Sequence, residues 1–277
     1  MNGKRWIGPV VGMVVLIAAA LVLVLCLSGK RRTPDEIDRP LDDEAAPKRE
    51  ARTPAVAGAF YPESPDELKA EIDAYLGAAT PPALGKARGL VAPHAGYIYS
   101  GPIAAYGFKT IQGRRYKTVI VMGPTHRYPL RGASIPNVAG YKTPLGTVPL
   151  SPLADTLRKS KVFTDVPQAH EAEHSIEVEL PFLQTVLGDF ELVPILIGEA
   201  DADEIAAAIL EHLDDHTLIV ASSDLSHYHD YEQAQQLDQH TAELVKGLEL
   251  DGRANPVGAG ICCSWIGLHL FIPTQGK

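Results

Sequence analysis

Four histidine-bearing segments are the part of this sequence whose side chains could carry out chemistry. Imidazole is the commonest metal ligand in proteins and the usual general base near neutral pH. Three of the four segments follow strand-like apolar runs, and in open α/β sheets ligands bind beyond the carboxyl ends of the strands. The pattern therefore predicts one site, built from residues 92–96 (APHAG), 123–126 (GPTH), 173–177 (EHSIE) and 222–227 (SSDLSH).

His94 and His126 occupy equivalent places, each behind a proline near the end of a strand-like run. A proline restrains the residue before it to extended geometry, so a stiff loop would hold each ring. Asp224 and His227 are three residues apart; if that turn is helical, they share a face and the carboxylate would orient the imidazole. The structural alternatives are histidines bonded to backbone at the edge of the core, Asp224 as a helix N-cap, and Glu173 as a charge at a helix start.

Other chemistries and partners fit the sequence less well. A Ser-His-Asp hydrolase would use Ser222, Ser223 or Ser226, but the glycine-flanked serine elbow of that class is absent. No glycine-rich phosphate loop occurs either. The net charge of −9 and the pI near 5.6 argue against a nucleic-acid partner, which usually meets a basic face. Histidines with a carboxylate and a thiol fit a metal centre better.

The elements that must position these residues alternate between strand and helix. That alternation predicts a single α/β domain with a mostly parallel central sheet covered by helices. Pro181 places a helix start or a kink near Leu180, and Pro194 favours an edge or bulge position for its strand. We predict strands over 89–92, 117–122, 191–197 and 217–221, and a hairpin or irregular excursion over 134–150. We predict helices over 64–76, 103–111, 176–186, 201–213 and 231–249, and a further helix that begins near residue 151.

The N-terminal region predicts a membrane protein. Residues 1–28 contain an apolar run over 7–28, and about 20 apolar residues cross a bilayer as a helix. A cleaved signal peptide is the alternative, although cleavage near Ala20 would leave an apolar new terminus. Basic residues nearly balance across the run, so the side of the membrane that the domain faces stays open. Residues 29–53 are charged without apolar periodicity and predict a disordered tether, which leaves 54–277 as the domain.

The motifs resemble those of the MEMO family. Besides the four histidine segments, residues 57–62 (AGAFYP) and the longer run 92–101 (APHAGYIYSG) match in the family's order, over about 54–250. The resemblance implies a single domain similar in fold to the class III extradiol dioxygenases, which hold non-haem iron in a pocket at the edge of the sheet.

The resemblance also implies a metal site and its ligands. Two histidines and a cysteine bind iron or copper in the family, and by motif these fall on His94, His126 and Cys262. His174, Asp224 and His227 would be further pocket residues, with His227 as acid/base and Asp224 orienting it. Prokaryotic members are often labelled AmmeMemoRadiSam system protein B, which implies an AMMECR1-type protein and a radical SAM enzyme as partners.

The sequence departs from the family pattern near its C-terminus. Cys263 stands where glycine is usual, and Lys277 ends the chain before the family's last helix and strands. We therefore expect a truncated or altered C-terminal end. Three functions stay open: a metal-dependent protein with redox or dioxygenase-like chemistry, a non-catalytic module that binds a peptide or partner in the same pocket, and an inactive member.

Overall fold

A computed structural model describes residues 49–247 of the chain. Its strands are β1 (Gly89–Ala92), β2 (Thr118–Pro124), β3 (Ala133–Ser134), β4 (Gly140–Thr143), β5 (Gly146–Pro149), β6 (Phe163–Thr164), β7 (Glu191–Ile197) and β8 (Thr217–Ser222). Its α-helices are α1 (Pro65–Ala78), α2 (Tyr97–Lys109), α3 (Pro152–Arg158), α4 (Pro167–Glu171), α5 (Leu180–Leu187), α6 (Ala202–Leu210) and α7 (Tyr231–Gly247), with a 3₁₀ turn over Glu177–Glu179.

The central sheet has six strands in the order β1-β8-β2-β7-β3-β6. The first four strands in that order are parallel to one another, whereas β3 is antiparallel to β7. The pair β4 and β5 forms a separate antiparallel hairpin within the predicted excursion. The prediction of one α/β domain with a mostly parallel sheet is therefore confirmed.

Both faces of the sheet are covered, because alternate residues of each central strand point to opposite sides. Val119 and Val121 of β2 belong to the apolar core that includes α1, α2 and α5. Ile120 and Met122 belong to the second core, against α3 and α6. Strands buried on both faces need an unbroken apolar run, which is why 118–122 reads as the clearest strand in the sequence.

Two prolines lie where the sequence patterns did not place them. Helix α2 begins at Tyr97 and contains Pro102, whereas we predicted a start after that proline, at 103. The missing hydrogen bond falls on the carbonyl of Ile98, an exposed residue, so water can satisfy it. Pro194 lies in β7, an interior strand, so the prediction of an edge position was wrong. Strand β3 pairs only with Leu196 and Ile197 of β7, so the absent N–H of Pro194 leaves no hydrogen bond to β3 unmade.

The N-terminal end of the described chain belongs to the domain. The N–H of Arg52 donates to the carbonyl of Gly140, and the N–H of Lys142 donates to the carbonyl of Arg52. The predicted tether therefore extends too far at its C-terminal end, since residues 49–53 pack on the fold. Residues 7–28, the rest of the tether and Cys262 lie outside the described residues. Within residues 49–247, no helix is long and apolar enough to cross a membrane.

A buried ion pair explains why this charged segment is ordered. Arg52 donates to a Glu177 carboxylate oxygen at 2.7 Å, and the side chains are 7% and 0% exposed. The remaining donors to Glu177 are the N–H groups of Ala55 and Val56 and the hydroxyl of Tyr61. Arg52 also donates to the carbonyls of residues 170 and 173. The pair thus joins the N-terminal segment to the loop that carries His174.

We predict that Arg52→Ala lowers the free energy of unfolding by about 3–5 kcal/mol, because it leaves the Glu177 charge buried without its cation. Arg49→Ala is the matched control, since the Arg49–Asp155 pair is exposed and should contribute below about 1 kcal/mol. Chemical denaturation of the purified variants measures both values. Equal losses in the two variants would contradict this account of the buried pair.

Candidate metal centre

Parallel strand ends bring three of the candidate residues to one edge of the sheet. His94, His126 and Asp224 each follow the last residue of a strand by two positions, after β1, β2 and β8 respectively. Strand β8 lies between β1 and β2, so the three loops are neighbours. His174 reaches the same place from the loop between α4 and the 3₁₀ turn.

Three imidazoles form the centre of the site. His94, His126 and His174 each offer a ring nitrogen, and these nitrogens all lie within 4.8 Å of one another. The ring centroids are 5.1 Å apart for His94 and His126, 5.6 Å for His94 and His174, and 4.5 Å for His126 and His174. His94 is buried and His126 is exposed, so the cluster has a closed and an open side. Such a group could hold a metal ion.

Glu173 is the common hydrogen-bond acceptor on the open side of the cluster. Its carboxylate lies 2.9 Å from Nδ1 of His126 and also accepts from the backbone N–H of His126. The N–H groups of His174 and Ser175 donate to it at 2.7 and 2.9 Å. Burial alone would raise the pKa of the Glu173 carboxyl, but the hydrogen bonds from His126 and Ser175 outweigh it and lower the pKa to about 2.

An ionised Glu173 fixes which nitrogen of His126 carries the proton. A carboxylate only accepts hydrogen bonds, so Nδ1 of His126 must be the donor, and in the neutral ring the lone pair is then on Nε2. A carboxylate behind a ligating histidine is a common arrangement in metal sites, where it sets the tautomer and raises ligand basicity. Nδ1 of His174 also lies 3.2 Å from Glu173.

The buried rings are held neutral. Burial lowers the pKa of His94 to about 4, with Asp224 opposing that change and the neighbouring histidines reinforcing it. Burial likewise lowers the pKa of His174, again against the effect of Glu173. A neutral imidazole offers a lone pair to a metal, so these shifts favour ligation at pH 7.

Ser175 attaches the histidine loop to the end of β2. Its hydroxyl donates to the carbonyl of Pro124 at 2.8 Å, and the residue is fully buried. A Cβ at Gly123 would lie 2.4 Å from Oγ of Ser175. The glycine of the GPTH segment is thus required for the loop to approach the strand closely.

Asp224 accepts hydrogen bonds from the His94 loop rather than orienting His227. Its carboxylate accepts from the backbone N–H groups of His94 and Ala95, at 2.6 and 3.0 Å. His227 is exposed, and its Nδ1 lies 3.1 Å from the carbonyl of Leu225. The expected orientation of His227 by Asp224 required a helical turn; instead Leu225 and Tyr228 have positive φ angles of 57° and 63°, which break the turn.

The orienting residues were not assigned from the sequence. Glu173 was interpreted as a possible charge at a helix start, and Ser222 was considered as a nucleophile. Glu177 was included only as the last residue of the EHSIE segment and Glu179 was given no role, although both lie in an otherwise apolar run, IEVELPF. An acid at a position that periodicity marks as buried needs a partner, and this is the signal that could have found them.

A cavity of about 510 Å³ opens beside the centre. Its described lining is mainly apolar and includes Pro93, Ile103 and Leu225, and the polar side chains that line it include Asp224, His227 and Asp238. Pockets of this size that combine apolar walls with a few polar groups are typical small-molecule sites.

We predict that Glu173→Gln destabilises the metal-free protein in a pH-dependent way. The folded pKa of about 2 lies below the ordinary 4.5, so the ionised carboxyl stabilises the fold above about pH 4.5 and loses that effect as the pH falls toward 2. The loss at pH 7 should be on the order of 3 kcal/mol, and it should shrink below pH 4.5. Denaturant unfolding across pH measures it, with the exposed Glu171→Gln as control. A loss that is constant with pH would contradict the assignment.

Comparison with known proteins identifies the family of this chain. A family model described as "Memo-like protein" matches residues 52–259. A "MEMO1 family protein" of Methanopyrus kandleri is 39% identical over 219 residues, covering 73% of this chain and 77% of the relative. Another from Thermotoga maritima is 38% identical, covering 72% and 78%. A third, from Thermoplasma acidophilum, is 36% identical, covering 72% and 76%. The chain belongs to the Memo-like protein family.

Proposed function

We propose that this protein binds an iron or copper ion at His94, His126 and His174 and uses it for redox or dioxygenase-like chemistry. One observation carries the proposal: three imidazoles from separate loops place ligand nitrogens within 4.8 Å of one another. Cys262 is proposed as a further ligand from the family resemblance.

The donor set fits the proposed ions. Neutral imidazole suits iron and copper as well as zinc and nickel, so the choice of iron or copper rests on the family resemblance. When bound, such an ion would supply one-electron and oxygen chemistry. The buried position of His94 and the carboxylate behind His126 are features that strengthen histidine as a ligand.

The surrounding residues have separable roles in this proposal. Glu173 orients His126, and Asp224 fixes the backbone of residues 94 and 95. His227 lines the cavity as an exposed imidazole, and we propose it as the acid or base that moves protons to and from a bound substrate. The apolar walls would hold the remainder of that substrate.

We predict that the full chain, purified in mild detergent without added metal, contains close to one iron or copper ion per molecule. His94→Ala, His126→Ala and His174→Ala should each lower that content at least about tenfold, because each removes a ligand. His240→Ala is the matched control, since His240 is an exposed histidine of α7. Elemental analysis with circular dichroism as a folding check measures the effect.

Full metal content in the three variants would overturn the proposal. A loss of metal in His240→Ala as large as that in the three variants would show that the ion is bound outside the cluster.

A binding module without catalysis is the second candidate, and the cavity is the observation that favours it. Its apolar lining could take an apolar side chain of a peptide or partner whether or not a metal is present. In that case a partner that copurifies with the wild-type chain should also copurify with the metal-free His94→Ala variant. An AMMECR1-type protein and a radical SAM enzyme are the partners proposed from the family resemblance.

We also propose that residues 7–28 anchor the chain in a membrane as a single span. The full chain should sediment with membranes and resist extraction with alkaline carbonate, because a helix of that length is held by apolar contact with lipid. The matched variant lacks residues 1–28 and should remain in the soluble fraction. Recovery of the full chain in the soluble fraction would refute the anchor.

A further inference from the structure

The closed side of the centre is organised around one buried hydroxyl. Ser222, the last residue of β8, is fully buried. Its Oγ lies 2.6 Å from Nδ1 of His94, 2.6 Å from the carbonyl oxygen of Ser175 and 2.9 Å from Oε1 of Glu179. All three distances are those of hydrogen bonds.

The number of protons decides the direction of these bonds. A serine hydroxyl donates one hydrogen bond and accepts up to two. The carbonyl of Ser175 can only accept, so the Ser222 proton points to it. The other two contacts must then be donated to Ser222, one by Nδ1–H of His94 and the other by a protonated carboxyl of Glu179. An ionised Glu179 would face the Ser222 oxygen with no proton between them.

The surroundings of Glu179 agree with a neutral acid. The residue is 1% exposed, and none of the ion pairs among residues 49–247 includes it. The charged or titratable groups that act on it are Asp224, which disfavours a second negative charge, and Tyr97, whose hydroxyl donates to the carbonyl of Val178. Burial raises the pKa of the Glu179 carboxyl well above its ordinary value.

We infer that Glu179 is a positioning residue: as a neutral acid it donates to Ser222, which accepts Nδ1–H of His94 and so leaves the lone pair of that ring on Nε2, available to the ion. Oδ2 of Asp224 lies 3.7 Å from this Nε2, which is beyond hydrogen-bond distance. The role of Nε2 as a ligand rests on the proposed function, whereas the arrangement of protons does not.

This arrangement makes the two sides of the centre unequal. His126 is backed by an ionised carboxylate, whereas His94 is backed by a hydroxyl and a neutral acid. A charged acceptor strengthens a hydrogen bond roughly twofold, so His126 is the more electron-rich ligand. Among residues 49–247, Glu173 is then the one negatively charged group that lies next to Nδ1 of a ligand ring.

The test begins with the metal-free full chain labelled with ¹⁵N-histidine, in which nitrogen chemical shifts report the tautomer of each ring. The Nδ1–H form of His94 is expected in the wild type and in Glu179→Gln, whose carboxamide N–H also donates to Ser222. Ser222→Ala should lose this preference. Ser134→Ala is the matched control, since Ser134 is a buried serine 3.1 Å from Nε2 of His170, in a different cluster.

Metal titration gives a second measurement. Ser222→Ala should weaken iron or copper binding by about 10–100-fold, as loss of an orienting partner does, while Ser134→Ala leaves it unchanged. Glu179→Gln should keep the affinity within about threefold. A Glu179→Gln variant that folds and loses tenfold or more, or an Nε2–H tautomer in the wild type, would overturn the inference.

Isotope-edited infrared spectra keep the test decisive if Ser222→Ala does not fold. A ¹³C-glutamate-labelled wild type should show one protonated carboxylic acid at pH 7 that is absent from Glu179→Gln, and a carboxylate in its place would refute the inference. Failure of the wild type to bind metal would refute the proposed function, yet the tautomer and infrared results would still decide this inference.

Discussion

The carboxylate of Glu173 is the interaction on which the site depends. It accepts from the ring and backbone of His126 and from the backbone of His174 and Ser175, so it holds two of the three imidazoles. A carboxylate with so many donors stays ionised although it is buried, because each hydrogen bond favours the charged form. The loop that carries it is fixed on one side by the Ser175 bond to β2, and on the other by the Arg52–Glu177 pair.

The same physical rule produces opposite outcomes for the buried acids. Glu173 receives several donors and remains an anion within the fold. Glu179 contacts a single hydroxyl, that of Ser222, whose proton is donated to the carbonyl of Ser175. Three acids within seven residues of sequence therefore serve an orienting, a structural and a proton-donating role. The buried ring of His94 and the partly buried ring of His174 are kept neutral by burial, which preserves the lone pairs that a metal needs.

Much of the fold and part of the site could be predicted from the sequence. Continuous apolar runs gave the central strands, and a parallel sheet brings His94 and His126 together because their strands end at the same edge. His174 was expected in the pocket, but its place beside the other rings depends on a loop held by Glu173 and Ser175, and no periodicity encodes such a loop. The helical turn expected from Asp224 to His227 does not form, because Leu225 has a positive φ of 57°, a conformation that a leucine in the sequence does not predict. Arg52 was placed in the disordered tether because composition cannot show that it has a buried partner, Glu177, 125 residues away in sequence.

The central proposal is that a metal ion lies among His94, His126 and His174. Anomalous diffraction collected on either side of the iron or copper absorption edge, from crystals of the metal-loaded full chain, tests it most directly. The account predicts one strong edge-dependent peak within bonding distance, about 2.0–2.2 Å, of a nitrogen from each of the three rings. A peak elsewhere, or none at the cluster in crystals shown by fluorescence to contain the metal, would contradict it.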